Sequence, residues 1–501
     1  MTATPEPALL DLDQVRIDPA WALRIPARLA IRRRVLPFAA MEGRVHVACA
    51  NGNDLAALQA VQRFVRLPVH AEVVDAASLE RAINRVYGDP SKAMSGAERV
   101  RSIDIDAAPS ELEADDAVGL CEELMHAALL RRASDIHIDP DREGVQVRFR
   151  VDGELERYRR LSSKAHAGLI SRFKVLSGMD IAEKRAPQDG RFTHTFGPTG
   201  QRIDVRVASL PTTYGERMTL RLLAVQTDTL TLEKLGMVDR DLDIFQRALD
   251  RPHGLILNTG PTGSGKSTSL YAGIRRLIGR EDLNIVTVED PVEYDIHGVA
   301  QVEVDSADKV SFSKALRSIL RHDPDVVMIG EIRDQETAGI AIKASLTGHL
   351  VLSTLHTNTA ASAITRLIDM GVEPYLLAAT LRLAVAQRLV RSLCTRCARR
   401  RPITSAEATA FRMPALTDQQ CAEAAGCVYC ASRGYSGRLG LFEMLEITEE
   451  IGTLITKRAT EGEIIAHARS TGVPSLLEDG TAKILACRTT IDEVLRAVTA
   501  Y

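Results

Sequence analysis

The chain has 501 residues, 45% of them hydrophobic, which is enough for about three domains that each bury a core. A formal net charge of -3 and a pI near 6.5 exclude a strongly basic surface over the whole chain, so nucleic acid is not an expected partner. The sequence has neither a basic and then apolar N-terminal segment nor a run of about 20 apolar residues. We therefore expect a soluble cytoplasmic protein.

Residues 1–88 predict a small N-terminal α/β domain. A strand pattern from Arg44 to Ala50 is followed by helical patterns from Asp54 to Val65 and from Ala77 to Tyr87. Residues 89–115 are polar, combine Pro, Ser and Gly with charges, and show no sustained periodicity. This segment is predicted to be a linker that allows movement between its neighbours.

Residues 116–226 predict a second domain built on an antiparallel sheet. A helical pattern from Ala117 to Arg132 precedes strands such as VQVRFRVDG and RIDVRVASL, in which apolar and charged residues alternate as on a sheet with one solvated face. After a linker at 227–240, the apolar runs LILN, IVTV, VVMI and LVLST alternate with helical segments. Such runs are typical of parallel strands covered on both faces, so residues 241–390 predict an α/β nucleotide-binding core.

A phosphate-binding loop is predicted between the strand Leu255 to Leu257 and the helix that runs toward Leu277. The sequence there fits G-x-x-x-x-G-K-[ST]. Glycines let backbone N–H groups turn toward phosphates at a helix N-terminus, while Lys266 neutralises the β- and γ-phosphate oxygens and Ser267 holds Mg²⁺. The residues expected to bind ATP are Gly260, Pro261, Thr262, Gly263, Ser264, Gly265, Lys266, Ser267 and Thr268.

Acidic residues follow two further apolar runs. Glu331 comes after the run Val326 to Ile329, as in a Walker B strand, and is predicted to orient the attacking water; a solvated acidic turn is the alternative. Glu289 follows the run Ile285 to Val288 and opens the acidic group EDPVE. Ligands of open α/β sheets bind at the carboxyl ends of the strands, so both carboxylates are expected to face the phosphate loop.

Two histidines flank the strand predicted from Leu350 to Thr354. His349 precedes it and His356 follows it, close in sequence to the Walker B residues. One of the two is a candidate sensor of the γ-phosphate. A structural role is the alternative for each, because a lone histidine has several possible uses in a fold.

Four motifs together resemble the secretion and type IV pilus motor ATPases: GPTGSGKST, VTVEDPVEY, DPDVVMIGEIRD and TGHLVLSTLHTN, in this order. The likeness continues upstream in ASDIHIDP, VRFRVDGEL, GMDIAEKRAPQDGRF and SLPTTYGERMTLRLL, and downstream in QRLVRSLC and SRGYSGRLGLFEML. It covers residues 117–501 strongly and 1–88 more loosely. The resemblance implies a multi-domain α/β fold: a RecA-like P-loop ATPase core after a PAS-like α+β domain and a small N-terminal α/β domain, with a zinc-binding insertion.

Within this family the chain is most similar to the type II secretion ATPases, because its length, compact N-terminal domain and tetracysteine insertion fit those members. The resemblance implies a homohexamer that hydrolyses ATP and drives pseudopilus assembly for protein export. It also implies two partners at the inner membrane, the cytoplasmic domain of the L component, docked by the first domain, and the platform F component. The alternatives are a type IV pilus assembly ATPase, a nucleic-acid translocase and a nucleotide-gated platform with negligible hydrolysis.

Three arginines on predicted strands of the second domain are candidates for the nucleotide site: Arg206, Arg217 and Arg221. The pattern alone is explained equally well by a solvated sheet face. Members of the family use arginines of this domain to reach the nucleotide, some across a subunit boundary, where they stabilise charge on the transferred phosphoryl group. The resemblance therefore implies catalytic roles for these arginines, with Arg217 first, and for His356.

Four of the eight cysteines form two C-x-x-C pairs within a module predicted at 391–440. Cys394, Cys397, Cys427 and Cys430 offer four thiolates and no open position, which in a reducing compartment predicts one structural zinc ion. Their separation is compatible with a helical hairpin between the pairs. A redox pair and a nucleic-acid-binding knuckle are the alternatives.

The remaining sequence completes these expectations. Residues 441–501 are predicted to form a C-terminal helical region. The other four cysteines are expected to be ordinary buried thiols: Cys49, Cys121, Cys421 and Cys487.

Overall fold

The computed structural model describes residues 11–13, 15–88, 116–196, 200, 202–223, 231–280, 282–293, 295–304 and 311–499. Backbone contacts divide the chain into two units. The first unit comprises residues 1–225, 394–398 and 424–436, and the second comprises residues 226–393, 399–423 and 437–501. The linker predicted at 89–115 lies outside the described residues, as does 227–230 of the linker predicted at 227–240.

The first domain of the first unit is a small sheet covered by helices. Strand β1 (Val35–Met41) pairs antiparallel with β2 (Arg44–Cys49), and β2 pairs parallel with β3 (Val69–Val73). Helix α3 (Leu55–Val65) makes the crossover between the two parallel strands, and the carboxylate of its N-cap residue Asp54 accepts a hydrogen bond from the N–H of Ala57. The strand and both helices predicted here are therefore present, the second helix at Ala76–Tyr87.

The second domain of the first unit contains a six-stranded antiparallel sheet in the described residues. The strands are β4 (Asp135–Asp141), β5 (Gly144–Val151), β6 (Glu154–Leu161), β7 (Gln188–Thr195), β8 (Arg202–Thr212) and β9 (Gly215–Leu223). They lie in the order β6-β5-β4-β9-β8-β7. Residues alternate between buried and solvated along β8, where Ile203, Val205 and Val207 are buried. This confirms the predicted sheet with one wet face.

The second unit is built on a seven-stranded sheet in the described part of the chain. The strands are β10 (Gly254–Thr259), β11 (Ile285–Glu289), β12 (Ala300–Glu303), β13 (Val326–Ile329), β14 (Leu350–Leu355), β15 (Leu381–Leu393) and β18 (Tyr435–Glu446). They lie in the order β12-β11-β13-β14-β10-β15-β18, and the pairings from β12 to β15 are all parallel. Strands β10, β11, β13 and β14 are buried along their whole length, as the unbroken apolar runs predict.

Helices cover these sheets in both units. None of the helices in the described ranges is both long and apolar enough to cross a bilayer. Besides α3, the first unit contains α1 (Pro19–Ala22), α2 (Ala27–Arg33), α4 (Ala76–Tyr87), α5 (Ala117–Leu130) and α6 (Ser163–Ser177). The second contains α7 (Asp239–Leu249), α8 (Lys266–Ile278), α9 (Phe312–Ile319), α10 (Gln335–Leu346), α11 (Ala360–Asp369), α12 (Pro374–Thr380), α13 (Ser405–Ala410), α14 (Glu449–Thr456), α15 (Glu461–Ser470), α16 (Leu476–Leu485) and α17 (Ile491–Thr499).

The segment between the two C-x-x-C pairs is not the helical hairpin that its length suggested. Strand β16 (Arg399–Pro402) pairs antiparallel with β17 (Gln420–Glu423), and the short helix α13 and one turn of 3-10 helix (Pro414–Leu416) lie between them. Phe411 and Cys421 of this segment pack into the core of the second unit, which holds the ribbon against that unit. A second difference follows at the C-terminal region, which was predicted to be helical from residue 441 but begins with the last six residues of β18.

Candidate nucleotide and metal sites

The predicted phosphate loop connects β10 to α8 in the second unit. Gly263 and Gly265 have φ angles of 79° and 89°, a left-handed backbone that favours glycine. A Cβ on Gly260 would lie 2.5 Å from the backbone oxygen of Gln387, so this position has no room for a side chain. The sequence therefore folds here into a tight turn whose backbone is free to approach a ligand at the start of a helix.

Lys266 is held over this loop by backbone oxygens. Its Nζ donates hydrogen bonds to the carbonyl oxygens of Gly260, at 2.7 Å, and Pro261, at 3.0 Å. Burial lowers the pKa of Lys266 to about 8; the nearby charge of Glu331 acts in the opposite direction, and that of Arg388 adds to the lowering. The ammonium group is thus positioned where phosphate oxygens are expected.

The loop offers further groups that fit a triphosphate and its magnesium ion. The hydroxyl oxygen of Ser264 is buried and has no hydrogen-bond partner among the described residues, although a buried hydroxyl normally has one. Ser267 lies exposed in the first turn of α8, so its hydroxyl is accessible to a cation. A phosphate oxygen would supply the acceptor that Ser264 lacks. These residues therefore fit ATP and Mg²⁺.

The other predicted groups meet the loop at one edge of the sheet. Strands β11, β13, β14 and β10 are neighbours and run parallel, so the residues that follow them share the carboxyl edge. Glu289 ends β11, Glu331 follows β13, His356 follows β14, and Gly260 follows β10. The sheet thus brings together four segments that are far apart in the sequence.

Glu331 is the carboxylate whose charge acts on Lys266. Its side chain is 13% exposed, its Oε2 lies 3.0 Å from Nε2 of His356, and it also forms an ion pair with Arg333. Its negative charge partly offsets the lowering of the Lys266 pKa by burial, so the two groups interact electrostatically. A largely buried carboxylate held by a histidine and an arginine is suited to orient a water molecule.

Glu289 is placed differently from Glu331. It is 3% exposed and accepts hydrogen bonds from Thr287, at 2.6 Å, from Gln301, at 3.2 Å, and from the hydroxyl of Tyr271. Burial raises the pKa of this carboxyl, and the three hydrogen bonds act in the opposite direction. Because its oxygens serve this buried network, the geometry favours a role in positioning α8 and β12; the catalytic role stays a prediction.

The two histidines lie at opposite ends of β14. His356 is at the carboxyl edge and contacts Glu331. His349 precedes the strand at the amino edge, where its Nδ1 lies 2.9 Å from the carbonyl oxygen of Ala344 near the end of α10. The structure therefore keeps His356 as the candidate sensor and gives His349 a structural role.

Two polar residues beside the loop were not singled out in the sequence. Gln387 accepts a hydrogen bond from Ser269 at 2.8 Å, and Arg388 donates to the backbone oxygen of Asn358 at 3.1 Å. Both lie on β15, which pairs parallel with β10, so they reach the same edge as the loop. The signal that was available is the pair of polar residues inside the otherwise apolar run LAVAQRLV.

The three candidate arginines belong to the first unit, whereas the phosphate loop belongs to the second. Arg206 on β8 pairs in register with Arg221 on β9, and the Nε of Arg221 donates to Asp135 at 3.1 Å. The Nε of Arg217 lies 2.7 Å from a carboxylate oxygen of Asp139. Within their own domain, Arg217 and Arg221 are thus neutralised by acidic partners, and the roles of all three arginines at the nucleotide stay predictions.

The four cysteines of the C-x-x-C pairs form one compact cluster in the first unit. All four sulfur atoms lie within 4.8 Å of one another, and three sulfur pairs are separated by 3.8 to 3.9 Å. A zinc ion with bonds of about 2.3 Å to a tetrahedron of thiolates requires sulfur separations of about 3.8 Å. Backbone N–H groups of Cys427 and Gly434 point at the sulfur of Cys430, which suits a thiolate. The cluster therefore fits a tetrahedral metal ion.

The second pair also contributes to the core of the first domain. Val428, which lies between Cys427 and Cys430, is buried in the cluster that contains Phe38, and the carbonyl oxygen of Tyr429 accepts a hydrogen bond from the N–H of Arg16 at 3.4 Å. No pattern in the sequence predicts this contact. Of the remaining thiols, Cys49, Cys121 and Cys421 are buried as predicted, whereas Cys487 is partly exposed.

Two family profiles match the chain. The profile described as "Type II/IV secretion system protein" matches residues 112–496, and the MshEN domain profile matches residues 6–93. Together they span both units.

Similar proteins were found among curated sequences and solved structures. Type II secretion system protein E of Pseudomonas aeruginosa is 43% identical over 486 residues, which cover 94% of this chain and 96% of that protein. Type II secretion system ATPase E of Vibrio cholerae is 46% identical over 384 residues, which cover 76% of each chain. The ATPase DotB of Legionella pneumophila matches with a TM-score of 0.57 at 22% identity over 79% of this chain and 99% of its own, which shows a shared fold.

Proposed function

Since the chain belongs to the family of type II/IV secretion system proteins, we propose that it is the ATPase motor that powers pseudopilus assembly and protein export in a type II secretion system. The observation that carries this proposal is the convergence of the phosphate loop, Lys266 and Glu331 at the carboxyl edge of one parallel sheet. The near-complete coverage of a type II relative supports the assignment to this system.

In the proposed reaction, water attacks the γ-phosphate of ATP and yields ADP and phosphate. Backbone N–H groups of the loop and the N-terminus of α8 bind the phosphates, and Lys266 exchanges its two carbonyl partners for phosphate oxygens. Ser267 would hold Mg²⁺, which neutralises phosphate charge when bound. Glu331 orients the attacking water and accepts its proton, while His356 holds the carboxylate in place.

We further propose that the motor works as a homohexamer and that Arg217, Arg206 and Arg221 stabilise charge on the transferred phosphoryl group, some of them across a subunit boundary. Arg217 and Arg221 would have to leave Asp139 and Asp135 for this, so the change of partner couples nucleotide binding to a movement of the second domain. That coupling is a means of turning hydrolysis into mechanical work.

The first domain and the cysteine cluster carry the proposed attachments. The first domain contains no phosphate-binding motif and is proposed to dock the cytoplasmic domain of the inner-membrane L component, with the F component as the platform on which the motor acts. Association with the membrane would then be indirect. The four-cysteine cluster is proposed to hold one structural zinc ion, since its sulfur separations fit a tetrahedron.

The test of this function is to replace the chromosomal gene with the Lys266→Ala variant and to measure two outputs in the same strain. The proposal expects the exported proteins to accumulate inside the cells while type IV pili are still assembled. A strain that loses its pili and continues to secrete would contradict the proposal and favour a pilus motor. An exposed lysine on α10, Lys343, supplies the matched control variant Lys343→Ala.

A further inference from the structure

Two histidines and a glutamate converge on the sheet of the first domain. His46 on β2 pairs in register with His70 on the parallel strand β3, and Glu72 follows His70 by two residues. Because residues two apart along a strand point to the same face, His70 and Glu72 face the same way, beside His46. Sequence reading did not single out these residues, since they are separated in the chain and belong to no motif.

The distances between their polar atoms fit a metal ion. The Nδ1 of His46 lies 2.9 Å from Oε1 of Glu72, the Nε2 of His70 lies 3.7 Å from the same oxygen, and all three ligand atoms lie within 4.8 Å of one another. A tetrahedral zinc ion with bonds of about 2.0 to 2.1 Å to nitrogen and oxygen places its ligand atoms about 3.3 Å apart. The two distances to Glu72 lie on either side of this value.

Hydrogen bonding explains only part of the arrangement. The contact between His46 and Glu72 is a hydrogen bond, but His70 is too far from Glu72 for one and is still aimed at it. The ring centroids of the two histidines are 5.2 Å apart. A shared cation at the centre would account for the position of all three side chains.

The surroundings also suit a metal site. The side chains of His46 and Glu72 are 15% and 20% exposed, whereas His70 is 52% exposed, so the cluster is open on one side to solvent.

We propose that His46, His70 and Glu72 form a second metal site, separate from the four cysteines, that takes a divalent transition-metal ion such as Zn²⁺. Two imidazoles and one carboxylate suit zinc and nickel, whereas the four thiolates of the other cluster are softer ligands. Three protein ligands leave a coordination position open, which water fills or a ligand from another molecule occupies. The site is independent of the proposed ATPase function.

The test uses the full-length protein purified with zinc in its four-cysteine cluster, then titrated with Zn²⁺ and, separately, with Co²⁺. We expect the wild type to bind a second equivalent of metal, and Co²⁺ bound as that second equivalent to show a spectrum without thiolate-to-metal charge-transfer bands. His70→Ala and Glu72→Gln should lose this equivalent and keep the first.

Two further measurements keep the test decisive. The control variant His253→Ala removes an exposed histidine of the second unit and should bind both equivalents. Thermal unfolding of each variant before the second metal is added shows whether the first domain still folds. The proposal is overturned if the wild type binds no second equivalent, or if folded His70→Ala protein binds it with unchanged affinity.

Discussion

The phosphate loop and the four-cysteine cluster differ in how much of the chain is needed to build them. Residues 260–268 are contiguous, comprise the turn after β10 and the first three residues of α8, and take their shape from local glycine conformations. The cysteine cluster joins two distant segments and places Val428 in the core of the first domain. The four cysteines are recognisable as candidate ligands from their spacing, but the packing of Val428 is not recognisable in this way. A motif can therefore predict the chemistry of a site without predicting which parts of the fold pack against it.

The largest effect is expected at the contiguous site. Lys266→Ala should lower the turnover of ATP by about 1,000-fold or more, because no neighbouring group replaces the charge that stabilises the phosphoryl transfer. The measurement is phosphate release by the purified protein, with Lys343→Ala as the exposed control. Melting temperature and metal content should stay unchanged. Near-normal turnover would show that the loop is not the site of hydrolysis.

Glu331→Gln is expected to separate binding from chemistry. The amide keeps the shape of the side chain but is a poor base, so turnover should fall about 100- to 1,000-fold while ATP still binds. Binding is measured with a fluorescent ATP analogue and hydrolysis by phosphate release. Glu336→Gln, on an exposed turn of α10, is the control. Parallel loss of binding and turnover would instead indicate that Glu331 mainly holds Mg²⁺.

A change in the cysteine cluster should affect metal content and the first domain more than it affects ATP turnover. Cys430→Ser is expected to remove the bound zinc and to make the first domain more sensitive to protease, while basal turnover changes by no more than about threefold, because no phosphate-binding group lies in the cluster. Metal analysis and limited proteolysis are the measurements, and Cys487→Ser is the control. Zinc retained at full occupancy in the Cys430 variant would exclude this set of ligands.

Lys266 also predicts a pH dependence. Its folded-state pKa is lowered from 10.5 to about 8, so above pH 8 the unliganded protein loses the charge that phosphate needs. ATP affinity should therefore fall by up to about tenfold per pH unit above that point, with proton uptake on binding. The unfolded chain binds more protons between pH 8 and 10.5, so the ligand-free fold gains stability over this window. Calorimetry in buffers of different ionisation enthalpy tests the pH dependence of ATP binding, with its proton uptake, and of the stability of the ligand-free protein. The Lys266→Arg variant should lose both pH dependences.

The smallest effect is expected at Val428. Val428→Ala removes two buried methyl groups and should cost the first domain about 1–2 kcal/mol of stability, without removing a ligand. Chemical denaturation followed in the first domain measures this, with the exposed Val175→Ala as control. An effect equal to that of the control would mean that the packing of Val428 contributes nothing to the first domain.

Much of the fold and of the nucleotide site followed from local patterns. The unbroken apolar runs identified β10, β11, β13 and β14, since strands covered on both faces exclude polar residues. The glycine-rich turn and the acidic strand ends then located the site. Residues on β15 such as Arg388 were missed because they reach the loop through sheet pairing. The β16–β17 ribbon was missed because its conformation depends on packing against the core of the second unit.

Val428 has a consequence for how metal binding and the first domain respond to each other. Since it lies inside the short turn that Cys427 and Cys430 close, the turn that a bound ion would shape is also the turn that completes the apolar core around Phe38. The free energies of the two events are therefore linked, and linkage is reciprocal. If a binding partner separates the first domain from this turn, the affinity of the cluster for its ion must fall by a certain factor. Loss of the ion must weaken the packing of the first domain on the turn by the same factor. The occupancy of the cluster then reports whether the first domain is engaged.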